Sequence, residues 1–261
     1  MREDGFIGAV EWAVAGRALP GQRVSGDRSV ILDAGGGSVL FAVLDGLGHG
    51  AAAADASDRA AQVLAENRAE PLDVLMLLCH RAMADTRGAA VSLALFDSGD
   101  KLTWLGVGNV ESRVVAAAPG KPAIRATALL TGGIVGYLLP PNLQSQTVAV
   151  RPGDLLLMST DGITTDYADG IDLAKPTSEI TADILARHAK DTDDALVLAA
   201  RHRGHTSHSH HISQVQHATH APSSHPATPA KSPIIPPAHG PTGIPTHRPI
   251  DPKTREAGTT A

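Results

Sequence analysis

Cysteine is almost absent from this chain: Cys79 is the single one among 261 residues, which excludes a disulfide framework. It lies in a segment that we predict to be helical, where a buried, small apolar side chain is a better interpretation than a nucleophile. The sequence also lacks any apolar run of the roughly 18–20 residues that a membrane span requires. No apolar stretch of the signal-peptide type follows residues 1–4. These absences predict a cytoplasmic protein without a membrane partner.

An excess of positive charge is missing as well. The formal net charge is −5, from 22 Lys and Arg against 27 Asp and Glu. Residues 205–261 carry +2 of this total, which leaves −7 on residues 1–204. We therefore expect no basic surface for nucleic acid. An acidic body instead suits a protein that concentrates divalent cations.

Residues 205–261 differ in composition from the rest of the chain. They hold nine of the thirteen His and ten of the eighteen Pro, and they contain no Leu, Phe, Trp or Tyr. Such a segment cannot bury enough apolar area to offset the entropy cost of ordering, so we predict a disordered His/Pro-rich tail. Its His residues are irregularly spaced and lack Cys partners, which favours a solvated tail over a dedicated metal site. The folded part is then one domain, residues 1–204.

The apolar pattern of residues 1–204 predicts many short strands and three helices. The strands come in consecutive groups, with two helices together and one late, which argues against an alternating parallel fold. We predict an α+β fold in which two antiparallel sheets lie face to face with helices outside each. The predicted strands are 7–15, 28–33, 38–44, 89–96, 101–107, 111–117, 123–129, 146–150, 154–160 and 195–201, and the predicted helices are about 49–67, 71–86 and 177–190.

Four acidic junctions share one feature: each lies at a predicted strand end, beside Gly or another Asp. A buried strand delivers its carboxylate to a fixed point, and a following Gly lets a metal or its water approach the backbone closely. Hard cations such as Mg²⁺ and Mn²⁺ prefer oxygen ligands. A single Asp-Gly pair is most often only a turn, so the prediction of a metal site depends on the whole set. The junctions are Ser25-Gly26-Asp27, Leu44-Asp45-Gly46, Thr160-Asp161-Gly162 and Thr192-Asp193-Asp194.

In their order along the chain these motifs resemble the metal-dependent protein phosphatase (PPM) superfamily, and within it the bacterial SpoIIE- and RsbX-like serine phosphatases. The resemblance spans residues 10–201. Its most specific parts are residues 45–52 and 160–163. The further matching segments are Gly106-Val107-Gly108-Asn109, Thr131-Gly132-Gly133-Ile134-Val135-Gly136 and Asp193-Asp194-Ala195-Leu196-Val197.

The resemblance implies an αββα sandwich and a protein serine/threonine phosphatase that uses two Mn²⁺ or Mg²⁺ ions. A water activated by both ions would attack phosphorus in line, so no protein nucleophile is needed. The implied partner is a phosphorylated protein, by resemblance a STAS-type regulator or an anti-sigma antagonist in stress-response signalling. The alternative is a catalytically weak pseudophosphatase that binds a signalling partner through the same fold.

The resemblance also assigns roles to the first members of the ligand set. Asp45 would bridge the two ions, and the carbonyl of Gly46 would bind one of them. Asp161 would ligate the other ion. Asp45 and Asp161 are therefore the residues on which we expect catalysis to depend most.

The remaining site residues are implied in the same way. Asp193 would join Asp161 on the second ion, with Asp194 left open as its replacement or support. Asp27 would stand in the shell of the first ion, directly or through water. For two neighbours in the matching segments we expect lesser roles, in which His49 orients a loop and Asn109 caps a turn.

A phosphate-binding arginine is harder to find. The larger eukaryotic phosphatases of this superfamily carry one near the N-terminus, whereas Arg17, Arg23 and Arg28 lie near Asp27 without a clear match. The sequence therefore predicts that the metal ions alone bind phosphate.

Overall fold

Twelve strands and three α-helices lie in the part of the chain that the computed structural model describes, residues 1–116 and 122–204. The predicted tail, residues 205–261, lies outside these described residues. The strands are β1 (Arg2–Ile7), β2 (Val10–Arg17), β3 (Asp27–Gly35), β4 (Ser38–Gly46), β5 (Ala89–Phe96), β6 (Lys101–Val107), β7 (Glu111–Ala116), β8 (Ala123–Thr127), β9 (Leu130–Thr131), β10 (Gln146–Ala149), β11 (Leu155–Ser159) and β12 (Ala195–His202). The helices are α1 (Ala51–Glu66), α2 (Leu72–Ala82) and α3 (Thr177–His188), and a 3₁₀ helix covers Thr165–Gly170.

The strands form two sheets. The first has the order β1-β2-β12-β11-β7-β8, and the second has the order β10-β6-β5-β4-β3. Every pairing along these two paths is antiparallel. The short strand β9 adds to β6 in parallel. None of the helices in the described ranges is long and apolar enough to cross a membrane.

Alternation along the strands sorts the side chains into three apolar layers. On β4, Phe41 packs between the two sheets, whereas its neighbour Leu40 packs toward α1 and α2. On β12, Leu198 packs between the sheets and Val197 packs toward α3. The predicted α+β sandwich, with helices outside both sheets, is therefore confirmed.

The helices bury the faces that their sequences predict. Cys79 of α2 is fully buried in the layer under α1 and α2, and burial raises the pKa of its thiol to about 12. A thiol in this state is a packing group and not a nucleophile. The helix α2 ends at Ala82, four residues earlier than predicted, because the chain then turns through residues 83–86.

Three elements escape prediction from the sequence. The predicted strand at 7–15 corresponds to β2, which begins only at Val10 because Gly8, with φ of 55°, turns the chain between β1 and β2. The strand β1 was not predicted. Most of β1 is exposed on both faces, so it carries no alternating apolar signal. The strand β9 and the 3₁₀ helix are too short to show a period.

A buried ionic group ties β2 to the start of α3. Glu11 is 6% exposed, and its Oε1 accepts hydrogen bonds from the backbone N–H (3.0 Å) and the hydroxyl (3.2 Å) of Thr177. The guanidinium groups of Arg201 and Arg203 lie against its Oε2. Burial raises the pKa of Glu11, but the Thr177 bond and the two arginines outweigh it, so the net pKa is lowered. Since Pro176 gives α3 no side-chain cap, Glu11 satisfies its first N–H from a distant strand.

We predict that Glu11→Ala destabilises the protein strongly. The substitution removes the carboxylate from beside Arg201, which is 3% exposed, and leaves a buried charge without its counter-ion. The expected loss in the free energy of unfolding is about 3–5 kcal/mol, measured by urea titration with tryptophan fluorescence. Glu3→Ala, on the exposed strand β1, is the matched control and should change stability little. A loss below about 1 kcal/mol for Glu11→Ala would contradict this role.

Candidate metal centre

The four acidic junctions meet at one end of the sandwich. In the second sheet, Asp27 lies directly opposite Asp45, because the register of β3 and β4 pairs them. In the first sheet, β11 and β12 are antiparallel neighbours, so the residues that follow β11 and precede β12 meet. Asp161 comes from the first of these junctions and Asp193 from the second. The hydroxyl of Thr160 then joins the sheets by donating to Asp27 Oδ2 (2.8 Å).

A cleft of about 300 Å³ opens at this end. Three of the predicted site residues line it, namely Asp45, Asp161 and Asp193. Asp27, which lies opposite Asp45 in the sheet and is 5% exposed, does not line this cleft. It lines a second pocket with Arg17, Arg23 and Arg28. The backbone of Gly46, next to Asp45, is buried. The other residues that line the cleft come from three loops and β5: Leu47, Gly48, Ala90, Gly108, Asn109, Gly133 and Ile134.

Burial and neighbouring carboxylates raise the pKa of Asp45 and of Asp27. Burial raises the pKa of Asp45 to about 7, and the charges of Asp161, Asp193 and Asp194 add to the shift. Burial and the charge of Asp45 also raise the pKa of Asp27 well above its usual range. Carboxylates held in this way favour either protons or cations as neutralising partners. The donor set therefore fits hard divalent cations.

The pKa of Asp161 is raised less than that of Asp45. Burial and Asp193 raise its pKa, while the charge of Lys190 and the hydrogen bond from Asn109 lower it. Among the described residues, no three His, Cys, Asp or Glu side chains are arranged to hold an ion by themselves. A divalent cation here would therefore need backbone carbonyls and waters as further ligands, which Mg²⁺ commonly takes.

Asp193 and Asp194 have different surroundings. Asp194 is 2% exposed, and its two carboxylate oxygens accept the backbone N–H groups of Leu19 and Gly26, both at 2.7 Å. Asp193 lines the cleft, and one of its oxygens accepts the N–H of Asp194 (2.8 Å). Asp193 therefore faces the cleft, while Asp194 anchors the loop before β3.

The glycines of these junctions allow close backbone packing, which differs from the reason expected from the sequence. A Cβ on Gly46 would lie 2.1 Å from the carbonyl oxygen of Ala53 in α1. A Cβ on Gly162 would lie 1.7 Å from the carbonyl oxygen of Asp194. Any larger residue would push these segments apart, so glycine is needed for packing whether or not an ion approaches.

Two further residues position Asp161. The amide of Asn109 donates to its Oδ2 (2.7 Å), so Asn109 orients a cleft carboxylate and is more than the turn cap expected from sequence. Lys190 Nζ donates to the backbone carbonyl of Asp161 (2.6 Å). Neither contact has a local sequence signal, although Asn109 stands in one of the matching motifs. His49 is exposed and is not among the residues that line the cleft.

Comparison with known proteins identifies relatives of this arrangement. The family model described as stage II sporulation protein E (SpoIIE) matches residues 35–210. Phosphoserine phosphatase RsbX of Bacillus subtilis (strain 168) is 27% identical over 146 residues, which cover 55% of this chain and 69% of that protein.

Solved structures extend the comparison. One, described as "The bacterial stressosome: a modular system that has been adapted to control secondary messenger signaling", is 30% identical with a TM-score of 0.66, covering 74% of this chain and 99% of that one. RsbX in complex with magnesium has a TM-score of 0.65 at 20% identity, covering 77% and 99%, which shows a shared fold.

We predict that Asp45→Asn stabilises the metal-free protein at pH 8. A carboxyl whose pKa rises from 3.8 unfolded to about 7 folded binds more protons in the folded state, so stability falls as pH rises between these values. Asn carries no charge and removes this part of the fall, on the order of 2 kcal/mol. The measurement is urea unfolding in EDTA at pH 5 and pH 8. Asp4→Asn, an exposed control, should follow the wild type; an Asp45→Asn variant that loses as much stability as wild type over this range would refute the prediction.

Proposed function

The chain belongs to the SpoIIE family, and from this we propose that it is a metal-dependent protein phosphatase that hydrolyses phosphoserine or phosphothreonine on a partner protein. The observation that carries the proposal is the meeting of Asp45, Asp161 and Asp193 around one cleft, with Asp27 paired opposite Asp45 in the sheet. The raised pKa of Asp45 supports it, because an unneutralised cluster of carboxylates is costly for the fold.

The proposed centre holds two Mn²⁺ or Mg²⁺ ions. Asp45 would bridge them, with the Gly46 carbonyl on one ion and with Asp161 and Asp193 on the other. Asp27 would complete the first ion's surroundings, directly or through water. Bound in this way, the ions would supply a nucleophilic water and positive charge for the phosphoryl oxygens.

The chain's own residues prepare the cleft for this reaction. Asn109 and Lys190 fix the side chain and the backbone of Asp161, so that its carboxylate is positioned in advance. Asp194 holds the loop that leads into β3 and thereby sets Asp27. Cys79 is buried far in the α1–α2 layer with a pKa of about 12, which agrees with attack by water and not by a thiol.

We predict that the purified protein hydrolyses p-nitrophenyl phosphate and a phosphoserine protein when Mn²⁺ is present. Asp45→Asn, Asp161→Asn and Asp193→Asn should each lower kcat by at least about 100-fold, because each removes a ligand charge from the cleft. Asp4→Asn is the matched control and should keep wild-type activity. Folded wild-type protein that releases no phosphate from any phosphoserine substrate would overturn the proposed function.

The variant Asp194→Asn separates a structural role of Asp194 from a role as a metal ligand. Because Asp194 accepts two backbone N–H groups, we expect this variant to lose stability, whereas Asp193→Asn should lose activity and keep its Tm. Equal loss of activity with no loss of stability for Asp194→Asn would instead identify it as the ligand.

A partner-binding pseudophosphatase, which would hold a signalling partner through the same fold, is the second candidate. Calorimetric titration with Mn²⁺ separates the two candidates. An active phosphatase should bind Mn²⁺ in the wild type and lose most of that affinity in Asp45→Asn. A pseudophosphatase should bind Mn²⁺ weakly in both.

The proposed substrate is a phosphorylated STAS-type regulator in a stress-response pathway. The support comes from relatives: RsbX is a phosphoserine phosphatase, and a 30% identical structure is described with the stressosome. We predict that STAS proteins phosphorylated by their own kinases lose phosphate at least about tenfold faster, in kcat/KM, than an unrelated phosphoserine peptide. The Asp45→Asn variant is the blank. Equal rates on both substrates would contradict STAS specificity, but they would still agree with a phosphatase activity.

A further inference from the structure

We propose that Arg87 binds the phosphoryl group of the substrate at the mouth of the acidic cleft. This inference rests on the proposed phosphatase function and adds a protein group to phosphate binding, which the sequence left to metal ions alone. It depends on where the backbone places Arg87, on what its guanidinium contacts, and on its lack of a carboxylate partner.

The backbone on both sides of Arg87 is fixed to the cleft walls. The N–H of Leu47 donates to the carbonyl of Gly88 (3.0 Å). Ala89 and Val135 exchange two backbone hydrogen bonds, at 3.0 and 2.9 Å. The segment 87–89 is therefore held between the loop that follows β4 and the loop at 133–135, and both loops line the cleft. Arg87 is not itself a lining residue of the cleft, but it stands on an ordered support between two loops that line it.

The guanidinium of Arg87 lies over Gly48, which is one of the residues that line the cleft. A Cβ on Gly48 would be 3.1 Å from Arg87 Nη1, which is closer than side chains normally approach. Gly48 also has φ of 84°, a conformation that favours glycine. Because Gly48 has no side chain, the guanidinium can lie beside the loop that follows β4.

No ion pair neutralises the charge of Arg87 within the described residues. It is exposed, and across residues 1–116 and 122–204 no carboxylate pairs with it. The acidic residue nearest in sequence, Asp85, pairs with Arg59 instead. Of the three arginines considered from sequence, Arg17 pairs with Asp191 and Arg28 with Asp58. Arg23 has no ion pair among the described residues, but it lines a different pocket, which contains Asp27 and not the carboxylates of the cleft.

A positively charged group at the mouth of the cleft would help an anionic substrate to bind. A phosphate monoester is an anion that must approach a cleft lined by carboxylates, and positive charge at the mouth offsets that repulsion. A guanidinium is planar, always charged and able to donate two parallel hydrogen bonds to phosphate oxygens. Lys190, the other cation beside the cleft, already donates to the carbonyl of Asp161.

The test compares Arg87→Ala and Arg87→Lys with Arg68→Ala. Arg68 is also an exposed arginine, but it lies beyond the C-terminal end of α1, beside the β3–β4 hairpin end. In Mn²⁺, Arg87→Ala should raise KM for p-nitrophenyl phosphate and the Ki of inorganic phosphate about tenfold, because it removes charge-assisted hydrogen bonds. The kcat should change less than KM, and Arg87→Lys should recover part of the loss. Mn²⁺ affinity and Tm should match Arg68→Ala.

Calorimetric binding of inorganic phosphate to the Mn²⁺-loaded protein gives a readout that does not need turnover. Weaker phosphate binding in Arg87→Ala than in Arg68→Ala supports the inference even if the wild type proves inactive, an outcome that would overturn the proposed function alone. Unchanged KM, Ki and phosphate affinity in an active enzyme would overturn the role of Arg87 alone. A fall in kcat with unchanged KM and Ki would also overturn it, as would a wild type that binds no phosphate.

Discussion

The geometry of the acidic cleft depends on Asp194, whose carboxylate links the two sheets at the end where the acidic junctions meet. Its carboxylate stands just before β12 in the first sheet and accepts the N–H of Gly26, which leads into β3 in the second sheet. Thr160 makes the second link between the sheets by donating to Asp27 and accepting the N–H of Leu196. These bonds are buried, where an unmade hydrogen bond is costly, so they define the geometry tightly. The acidic residues that line the cleft are spaced by them.

The apolar layers allow this concentration of negative charge. Carboxylates that raise each other's pKa reduce the stability of the folded state at neutral pH. Three layers of buried side chains, one between the sheets and one under the helices on each side, provide stability at a distance from the cleft. The unfavourable charges are confined to strand ends, where a bound cation would relieve them. Such local strain supported by a rigid scaffold is typical of functional sites.

The acidic cleft has a positive border. Lys190 donates to the carbonyl of Asp161, and the guanidinium of Arg87 lies beside Gly48, in the loop that follows β4. The two cations thus flank the carboxylates without neutralising them by direct side-chain ion pairs in the described residues. A cleft of this kind can attract cations to its floor and an anionic group to its mouth, which is the combination that a phosphatase needs.

The sequence by itself determined the sandwich fold and the positions of the acidic junctions along the chain, because both depend on patterns among neighbouring residues. Continuous apolar runs identify β4 and β12 as buried strands. Asp45 stands at the end of β4, and Asp193 stands two residues before β12. Tertiary structure alone showed that Asp193 lines the cleft while Asp194 holds the loop before β3, gave Asn109 its contact with Asp161 and brought Arg87 to Gly48. These contacts join residues that are far apart in the chain, and they depend on sheet register and on which way each side chain faces. The identities of neighbouring residues do not specify these long-range contacts, so only the tertiary structure decides them.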